Sequence, residues 1–338
     1  MKKRASLIYN PKSGSAATPE LWLGTIVYRL SKAGYRVDVS STTVDTTAEN
    51  ILQDMTEPSD LIVAAGGDGT VRMVIDAVAR QKLKIPVGIV PLGTGNLLAR
   101  NLNIYEDNLL LDPLDKAIGV ILHGKPLTID LGLMNGHYFA AAAGVGPLSD
   151  AIIAPDKKDK ETWKILAYAG SMVQTLSKAP VLFRVNADGE EFKISATGIF
   201  VTNISDLGVG RLSDTASMHD GLLDLCILSP KEFSDYLKYG FHFAATKDSN
   251  LNLSSGEPPY YVRKVKSVKI EAVRRLRPFG FIESGINELR NRLTGHSEGG
   301  TKKEKRSGAI PAMIDGDECG TTPMQIEVAP QAVNVLSI

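Results

Sequence analysis

The sequence is poor in cysteine and histidine and has no excess of either charge. Its two cysteines, Cys226 and Cys319, lie far apart and form no Cys-x-x-Cys pair, so we expect free thiols in a reducing compartment. The five histidines are scattered without the spacing of metal ligands. Lys and Arg (38) balance Asp and Glu (38), which leaves no overall basic field for nucleic acid as a partner.

Long apolar segments are also absent. No uninterrupted apolar stretch reaches the roughly 18–20 residues of a membrane-spanning helix. The basic residues 2–4 run directly into a short strand, which does not resemble the apolar region of a signal peptide. No Gly-x-Ser-x-Gly element is present, which argues against a serine hydrolase. We therefore expect a globular cytoplasmic protein that meets membranes at most peripherally, long enough at 338 residues for two domains.

The most informative stretch is Gly-Gly-Asp-Gly-Thr at residues 66–70. The apolar residues 61–65 before it predict a buried parallel strand, and apolar residues at helical spacing follow it. A glycine-rich turn between strand and helix favours a phosphate, because backbone N–H groups and the helix dipole point at the anion. A carboxylate at Asp68 fits among phosphates chiefly if Mg²⁺ mediates. The alternative is a tight turn in which Asp68 caps the helix.

Two further loops follow the same design. Residues 85–90 predict a buried strand, residues 91–96 (Pro-Leu-Gly-Thr-Gly-Asn) a glycine-rich turn, and residues 97–102 a helix. Thr94 and Asn96 are candidate donors to a nucleotide. Residues 10–15 after the first strand form another loop of small and polar residues, with an ordinary surface turn as the alternative. Parallel strands bring such loops to one sheet edge, where ligands bind in open α/β sheets.

The elements change character along the chain. Strands and helices alternate up to about residue 124, with helices over residues 19–31 and after Thr46 or Thr47, which predicts a doubly wound parallel sheet. From Leu127 onward short alternating strands and hairpins at Asn135-Gly136 and Asp188-Gly189 predict a β-rich sandwich, interrupted by a helix over residues 157–177. We predict an α/β domain at 1–125, a β-sandwich at 126–330 with an insertion at about 283–310, and a tail at 331–338 that returns to the first domain.

These three loops, in this order and approximate spacing, resemble the diacylglycerol kinase catalytic-domain family, which includes bacterial lipid kinases and the sphingosine and ceramide kinases. Gly-Gly-Asp-Gly-Thr is shared with NAD kinases, whereas Pro-Leu-Gly-Thr-x-Asn favours the lipid kinases. The resemblance implies a nucleotide-binding α/β domain followed by a β-sandwich, with the active site between them. It also implies ATP as the phosphoryl donor and Mg²⁺ as cofactor.

The resemblance assigns roles to individual residues. Asp68 and Asp130 would belong to a water-mediated Mg²⁺ network, and Asp220 would help bind a structural Mg²⁺; the alternatives are a polar residue on a half-exposed strand for Asp130 and a plain turn for Asp220. Thr42 matches a threonine near the nucleotide. The full set of implied nucleotide-binding residues is Asn10, Ser13, Gly14, Thr42, Gly66, Gly67, Asp68, Gly69, Thr70, Gly93, Thr94 and Asn96.

A late acidic stretch supplies the candidate general base. Asp315-Gly316-Asp317 resembles the family's Asp-Gly-Glu element, with Asp317 in the place of the glutamate. Phosphoryl transfer to an alcohol needs a carboxylate that accepts the hydroxyl proton. On an extended chain residues two apart share a face, which favours Asp317 over Glu318. The same letters at residues 188–190 lie between alternating strands and predict an ordinary hairpin turn.

The chain departs from the family pattern in two places. Leu97 stands where many members have an aspartate, which removes one acid from the predicted metal network. The insertion carries the basic run at residues 302–306, which either contacts anionic headgroups or is simply solvated.

The favoured hypothesis is an ATP- and Mg²⁺-dependent lipid kinase, with Asp317 and Asp68 as catalytic residues and a lipid as substrate. The alternatives are an NAD kinase-like enzyme and a catalytically silent nucleotide- or lipid-binding protein. The sequence leaves open which lipid is used and whether the chain is a monomer or a homodimer.

Overall fold

A computed structural model describes residues 3–13, 19–53, 55, 57–105, 113–149, 180–208, 210–246, 257–275 and 309–338. The predictions for Gly14, for the helix over residues 157–177 and for the basic run at 302–306 lie outside these ranges. Five helices are described: α1 Pro19–Lys32, α2 Asp68–Arg80, α3 Leu97–Asn101, α4 Pro113–His123 and α5 Phe233–Thr246.

The first part of the chain forms a parallel sheet in the order β2-β1-β3-β4. Its strands are β1 Lys3–Tyr9, β2 Tyr35–Ser41, β3 Leu61–Gly66 and β4 Val87–Pro91. β3 and β4 are buried along their whole length, as strands covered on both faces must be. The helix predicted after Thr46 or Thr47 is wrong: the chain makes a series of turns there, although Ile51 and Leu52 are still buried.

The remaining strands are antiparallel to their neighbours except where β16 meets β4. They are β5 Lys125–Met134, β6 His137–Phe139, β7 Ala142–Val145, β8 Val181–Ala187, β9 Glu190–Ala196, β10 Gly198–Thr202, β11 Leu223–Leu228, β12 Tyr261–Val265, β13 Ser267–Arg275, β14 Pro311–Ile314, β15 Asp317–Thr321 and β16 Met324–Ser337. One sheet has the order β12-β11-β10-β7-β14-β15. A second hydrophobic core lies among these strands, so the predicted α/β domain followed by a β-rich sandwich is confirmed.

Strand β16 joins the two parts of the chain. Its first residues pair with β13, and its last residues pair with β5 and, at Val335, with β4 of the parallel sheet. The larger sheet therefore runs without a break from β2 to β9, in the order β2-β1-β3-β4-β16-β13-β8-β9. The domain boundaries at 125 and 330 stay a prediction, because the sheet itself marks neither of them.

None of the helices in the described ranges combines the length and hydropathy needed to span a bilayer.

The two predicted hairpins are confirmed. Asn135-Gly136 joins β5 to β6 and Asp188-Gly189 joins β8 to β9, with positive φ at all four residues.

Candidate active site

The loops after β1, β3 and β4 lie side by side, because these strands are parallel neighbours. Asn10 N–H donates to the Ala65 carbonyl at 3.0 Å, and Leu92 N–H donates to the Gly66 carbonyl at 2.9 Å. Thr42, which is buried, donates its N–H to the Tyr9 carbonyl at 2.8 Å. The structure thus brings those predicted loop residues that it describes to one edge of the sheet.

The two glycine-rich turns are in van der Waals contact. A Cβ built on Gly93 would lie 2.6 Å from the Gly67 Cα, which no side chain tolerates. The first turn ends β3 and begins α2, so the free N–H groups of the first helical turn open at this edge. This is the arrangement in which backbone donors bind phosphate.

The side chain of Asp68 joins these two turns through hydrogen bonds. It is the first residue of α2, yet its carboxylate accepts the N–H groups of Leu97 at 2.6 Å (Oδ1) and Asn96 at 2.8 Å (Oδ2). These are the first donors of α3, so Asp68 caps a helix other than its own. Burial raises the pKa of Asp68, and the two backbone N–H groups act in the opposite direction.

Asn96 uses its side chain inside its own loop. The amide accepts the Gly93 N–H at 2.9 Å and donates to the Gly93 carbonyl at 2.8 Å, while the backbone is left-handed at φ 50°. The side chain is buried, whereas Thr94 is exposed at the tip of the turn. A hydrogen bond from Asn96 to a nucleotide stays a prediction, since both ends of its amide already have partners.

Leu97 is an apolar residue at a position where many family members have an aspartate. It is buried in the core of the α/β part. One of its methyl groups lies 3.3 Å from the position that a Cβ on Gly208 would take. Its N–H still binds Asp68, so the loop geometry survives although the side chain cannot bind a metal.

Asp315 and Gly316 form a tight turn between β14 and β15. Both have positive φ, 46° and 95°, and Ile314 pairs with Asp317 across the turn. The extended chain that we assumed for residues 313–318 is therefore wrong, and the argument that Asp315 and Asp317 share a face does not apply. A two-residue turn with positive φ at both positions favours Asp-Gly, which is the sequence found here.

The two aspartates of this turn have opposite environments. Asp315 is buried, and its carboxylate accepts N–H groups from Ala140 at 2.8 Å and from Ala141 and Ala142 at 2.9 Å. Burial raises the pKa of Asp315 to about 6, against the three N–H donors and the charge of Arg72. Asp315 therefore anchors the turn to residues 140–142, at the point where β7 begins.

Replacing Asp315 with Ala leaves three buried N–H groups without an acceptor. We expect a loss of about 3 kcal/mol or more in the free energy of unfolding, measured by urea titration. Glu318→Ala on the adjoining strand is the matched control, because its side chain is exposed, and it should change stability by no more than about 0.5 kcal/mol. Equal losses in both variants would show that Asp315 is not an anchor.

Asp317 lies over the first turn of α2. Its Oδ2 is 3.1 Å from the position that a Cβ on Gly69 would take, and the same oxygen accepts a hydrogen bond from Arg72 Nη2 at 3.1 Å. The structure thus brings this half-exposed carboxylate to the glycine-rich loop, 245 residues away from Arg72 in the sequence. Arg72 was not predicted from the sequence, because it belongs to no recognisable motif and its partner Asp317 is remote in the sequence.

Asp130 is surrounded by backbone donors. Its oxygens accept the N–H groups of Gly221 and Gln331, both at 2.8 Å, and its own N–H donates to the Met218 carbonyl at 2.6 Å. Gln331 lies in the bulge of β16, where the register with β5 shifts. At 2% exposure, Asp130 fits a backbone anchor better than a ligand of a hydrated metal ion.

Asp220 and Asp224 lie beside a lysine. The ammonium of Lys264 pairs with Asp220 and stands 3.7 Å from Asp224 Oδ2. Asp224 is buried; its Oδ1 accepts the hydroxyls of Ser213 and Thr215, and its Oδ2 accepts no hydrogen bond within the described part of the chain. A structural Mg²⁺ at Asp220 stays a prediction, and the Lys264 cation competes with it for these carboxylates.

Within the described ranges, no three His, Cys, Asp or Glu side chains lie close enough together to hold a metal ion. Because the Lys264 ammonium already supplies a positive charge beside Asp220 and Asp224, we expect chelation of divalent cations to leave the Tm of the nucleotide-free protein unchanged. Lys264→Met should lower the Tm, because the buried Asp224 loses its counter-charge at a cost of about 2 kcal/mol, and added Mg²⁺ should restore part of the loss.

The control for this experiment is Lys269→Met, which removes an exposed ion pair with Glu271 and should leave the Tm nearly unchanged. A drop in the Tm of the unmodified protein on addition of a chelator would contradict the expectation and favour a metal at Asp220.

Comparison with known proteins identifies the family of this chain. A profile of the diacylglycerol kinase catalytic domain matches residues 4–134, and one of the YegS C-terminal NAD kinase beta sandwich-like domain matches residues 147–239. The diacylglycerol kinase of Bacillus subtilis (strain 168) is 30% identical over 239 residues, which are 70% of this chain and 77% of that protein. The diacylglycerol kinase of Staphylococcus aureus (strain JH9) is 32% identical over 243 residues, 70% of this chain and 73% of that protein.

Among solved structures, a diacylglycerol kinase from Bacillus anthracis str. Sterne has a TM-score of 0.71 at 20% identity. The alignment covers 100% of this chain and 97% of that one, and at this identity it shows a shared fold. Fold, site and relatives together define a lipid kinase. The chain belongs to the diacylglycerol kinase catalytic-domain family.

Proposed function

We propose that this chain transfers the γ-phosphoryl group of ATP to the hydroxyl of a diacylglycerol-like lipid. The observation that carries the proposal is the position of Asp317, whose carboxylate oxygen lies against Gly69 of the glycine-rich loop. The relatives named diacylglycerol kinase support the choice of acceptor.

The nucleotide phosphates would bind at the sheet edge formed by the three loops. The backbone N–H groups at the start of α2 supply donors, and the contact between Gly67 and Gly93 lets the main chain approach closely. Asn10, Ser13, Thr42, Thr70 and Thr94 complete this proposed nucleotide site, together with the glycines of the two turns.

Asp317 would act as the general base. Its carboxylate accepts the proton of the lipid hydroxyl while the hydroxyl oxygen forms a bond to the γ-phosphorus and the bond from that phosphorus to the ADP oxygen breaks. A half-exposed carboxylate suits this role, because the acceptor hydroxyl must reach it from outside. Asp315, although adjacent, is closed off by its three N–H partners.

Mg²⁺ would bind with the nucleotide and neutralise charge on its phosphates. Asp68 would bind this ion through a water molecule and not directly. Each of its oxygens keeps a lone pair beyond its N–H bond and could accept a hydrogen bond from a metal-bound water. Asp130 does not suit a magnesium ligand because it is enclosed by backbone donors. Leu97 does not, because its side chain is apolar. Membrane contact through residues 302–306 and the choice between monomer and homodimer stay predictions from the sequence.

Transfer of label from γ-labelled ATP tests the proposal directly. The acceptors are diacylglycerol, a sphingoid base and ceramide in mixed micelles, with NAD in solution as the rival substrate. Label in diacylglycerol that requires Mg²⁺ supports the proposal. Label in NAD would favour the NAD kinase-like alternative, and ATP binding without transfer to any acceptor would favour a silent binding protein.

A further inference from the structure

Arg72 connects the helix of the glycine-rich loop to the proposed base. It lies one turn beyond Asp68 on α2, and its Nη2 donates to Asp317 Oδ2 at 3.1 Å. The arginine side chain is 16% exposed, whereas the aspartate is 52% exposed. A largely buried cation is thus paired with a carboxylate that is open to solvent.

The same oxygen of Asp317 bonds to Arg72 and faces the glycine-rich loop. Oδ2 accepts the hydrogen bond from Arg72, and it also lies 3.1 Å from where a Cβ on Gly69 would stand. Arg72 therefore holds the carboxylate against the loop by one oxygen and leaves Oδ1 as the atom available to accept a proton. A planar guanidinium fixes the direction of such a bond better than a flexible ammonium does.

The other acids near Arg72 are already satisfied. Asp76, one turn further along α2, receives Nε and Nη2 of Arg80, the next basic residue on that face. Asp315 receives three backbone N–H groups. Asp317 is therefore the acidic residue whose carboxylate Arg72 binds.

Arg72 is also imperfectly bonded for a structural residue. Its Nε is buried and has no hydrogen-bond partner among the described residues. A buried unsatisfied donor has an energetic cost, and such groups call for an explanation beyond packing. The positioning of Asp317 is an explanation of this kind.

We propose that Arg72 is a positioning residue for Asp317 in phosphoryl transfer, an inference that rests on the proposed function. Asp317 has one methylene group fewer than a glutamate and lies at the solvent-exposed start of β15. Without a partner its carboxylate samples several rotamers, and a displacement of about 1 Å in a reacting group costs on the order of 100-fold in rate. The pairing with Arg72 removes that freedom.

A double-mutant cycle tests this proposal, with kcat and the KM for ATP measured on the lipid acceptor. Arg72→Met should lower kcat about 10- to 100-fold, with KM for ATP changed by less than about threefold. Arg72→Lys should recover part of the loss. In the Asp317→Asn background, Arg72→Met should have an effect of no more than about twofold, because the group that it positions is already gone.

Arg29→Met is the matched control, since it removes a helical arginine paired with an exposed aspartate on α4, and its kcat should equal that of the unmodified protein. If Arg72→Met proves unstable in a thermal melt, Arg72→Gln replaces it in the cycle. An unchanged kcat, or equal losses in both backgrounds, would overturn the proposal for Arg72 alone. Absence of lipid phosphorylation in the unmodified protein would instead refute the proposed function, and this inference with it.

Discussion

Asp317→Asn is expected to lower kcat for lipid phosphorylation by about 10²–10⁴-fold, the usual contribution of a general base. The amide keeps the size of the side chain but cannot accept the hydroxyl proton. The KM for ATP should change little, because the proposed phosphate donors are backbone groups of the loops. Steady-state kinetics with saturating lipid micelles and labelled ATP measures both quantities.

Glu318→Gln is the control for this variant. Glu318 is the adjacent acid, pairs with Met313 across the hairpin and is exposed, and its loss should leave kcat unchanged. Asp317→Glu should retain more activity than Asp317→Asn, because the carboxylate is preserved. If Glu318→Gln abolished transfer while Asp317→Asn did not, the base would be Glu318 and the proposed geometry would fail.

Gly93→Ala is expected to lower kcat/KM for ATP by about 100-fold, as a backbone displacement of about 1 Å in a positioned site does. The new methyl group would stand 2.6 Å from the Gly67 Cα, which is backbone and cannot rotate away. The two turns must therefore separate, and the N–H groups at the start of α2 lose their alignment. ATP affinity by calorimetry and initial rates at limiting ATP measure the effect.

Gly24→Ala is the matched control for the added methyl group. Gly24 lies within α1, and no atom stands within 4 Å of the position of its Cβ. Alanine is the better helix former, so this variant should raise stability by about 0.5–1 kcal/mol and leave catalysis unchanged. If Gly93→Ala bound ATP as tightly as Gly24→Ala, contact between the turns would not matter for the nucleotide.

The sequence by itself determined the α/β fold followed by a β-rich sandwich, together with the loops at the sheet edge. Each loop is local: a strand, a run of small residues and a helix follow one another within about thirty residues. The Asn135-Gly136 and Asp188-Gly189 hairpins were predictable for the same reason, since Asn and Asp tolerate positive φ and Gly favours it. The turns after Thr46 were missed, because an apolar spacing of three and four residues does not require a completed helix.

The roles of the acidic side chains were decided by the tertiary structure. Asp68 caps the helix after the neighbouring loop, and Asp130 binds a bulge 201 residues later. Asp315 anchors its turn to residues 140–142, where β7 begins. Asp317 meets Arg72 across 245 residues. A carboxylate binds whichever N–H donor or cation lies within about 3 Å, and its sequence neighbours carry no information about which group that is. The strand order that brings β15 to the start of α2 supplies that information.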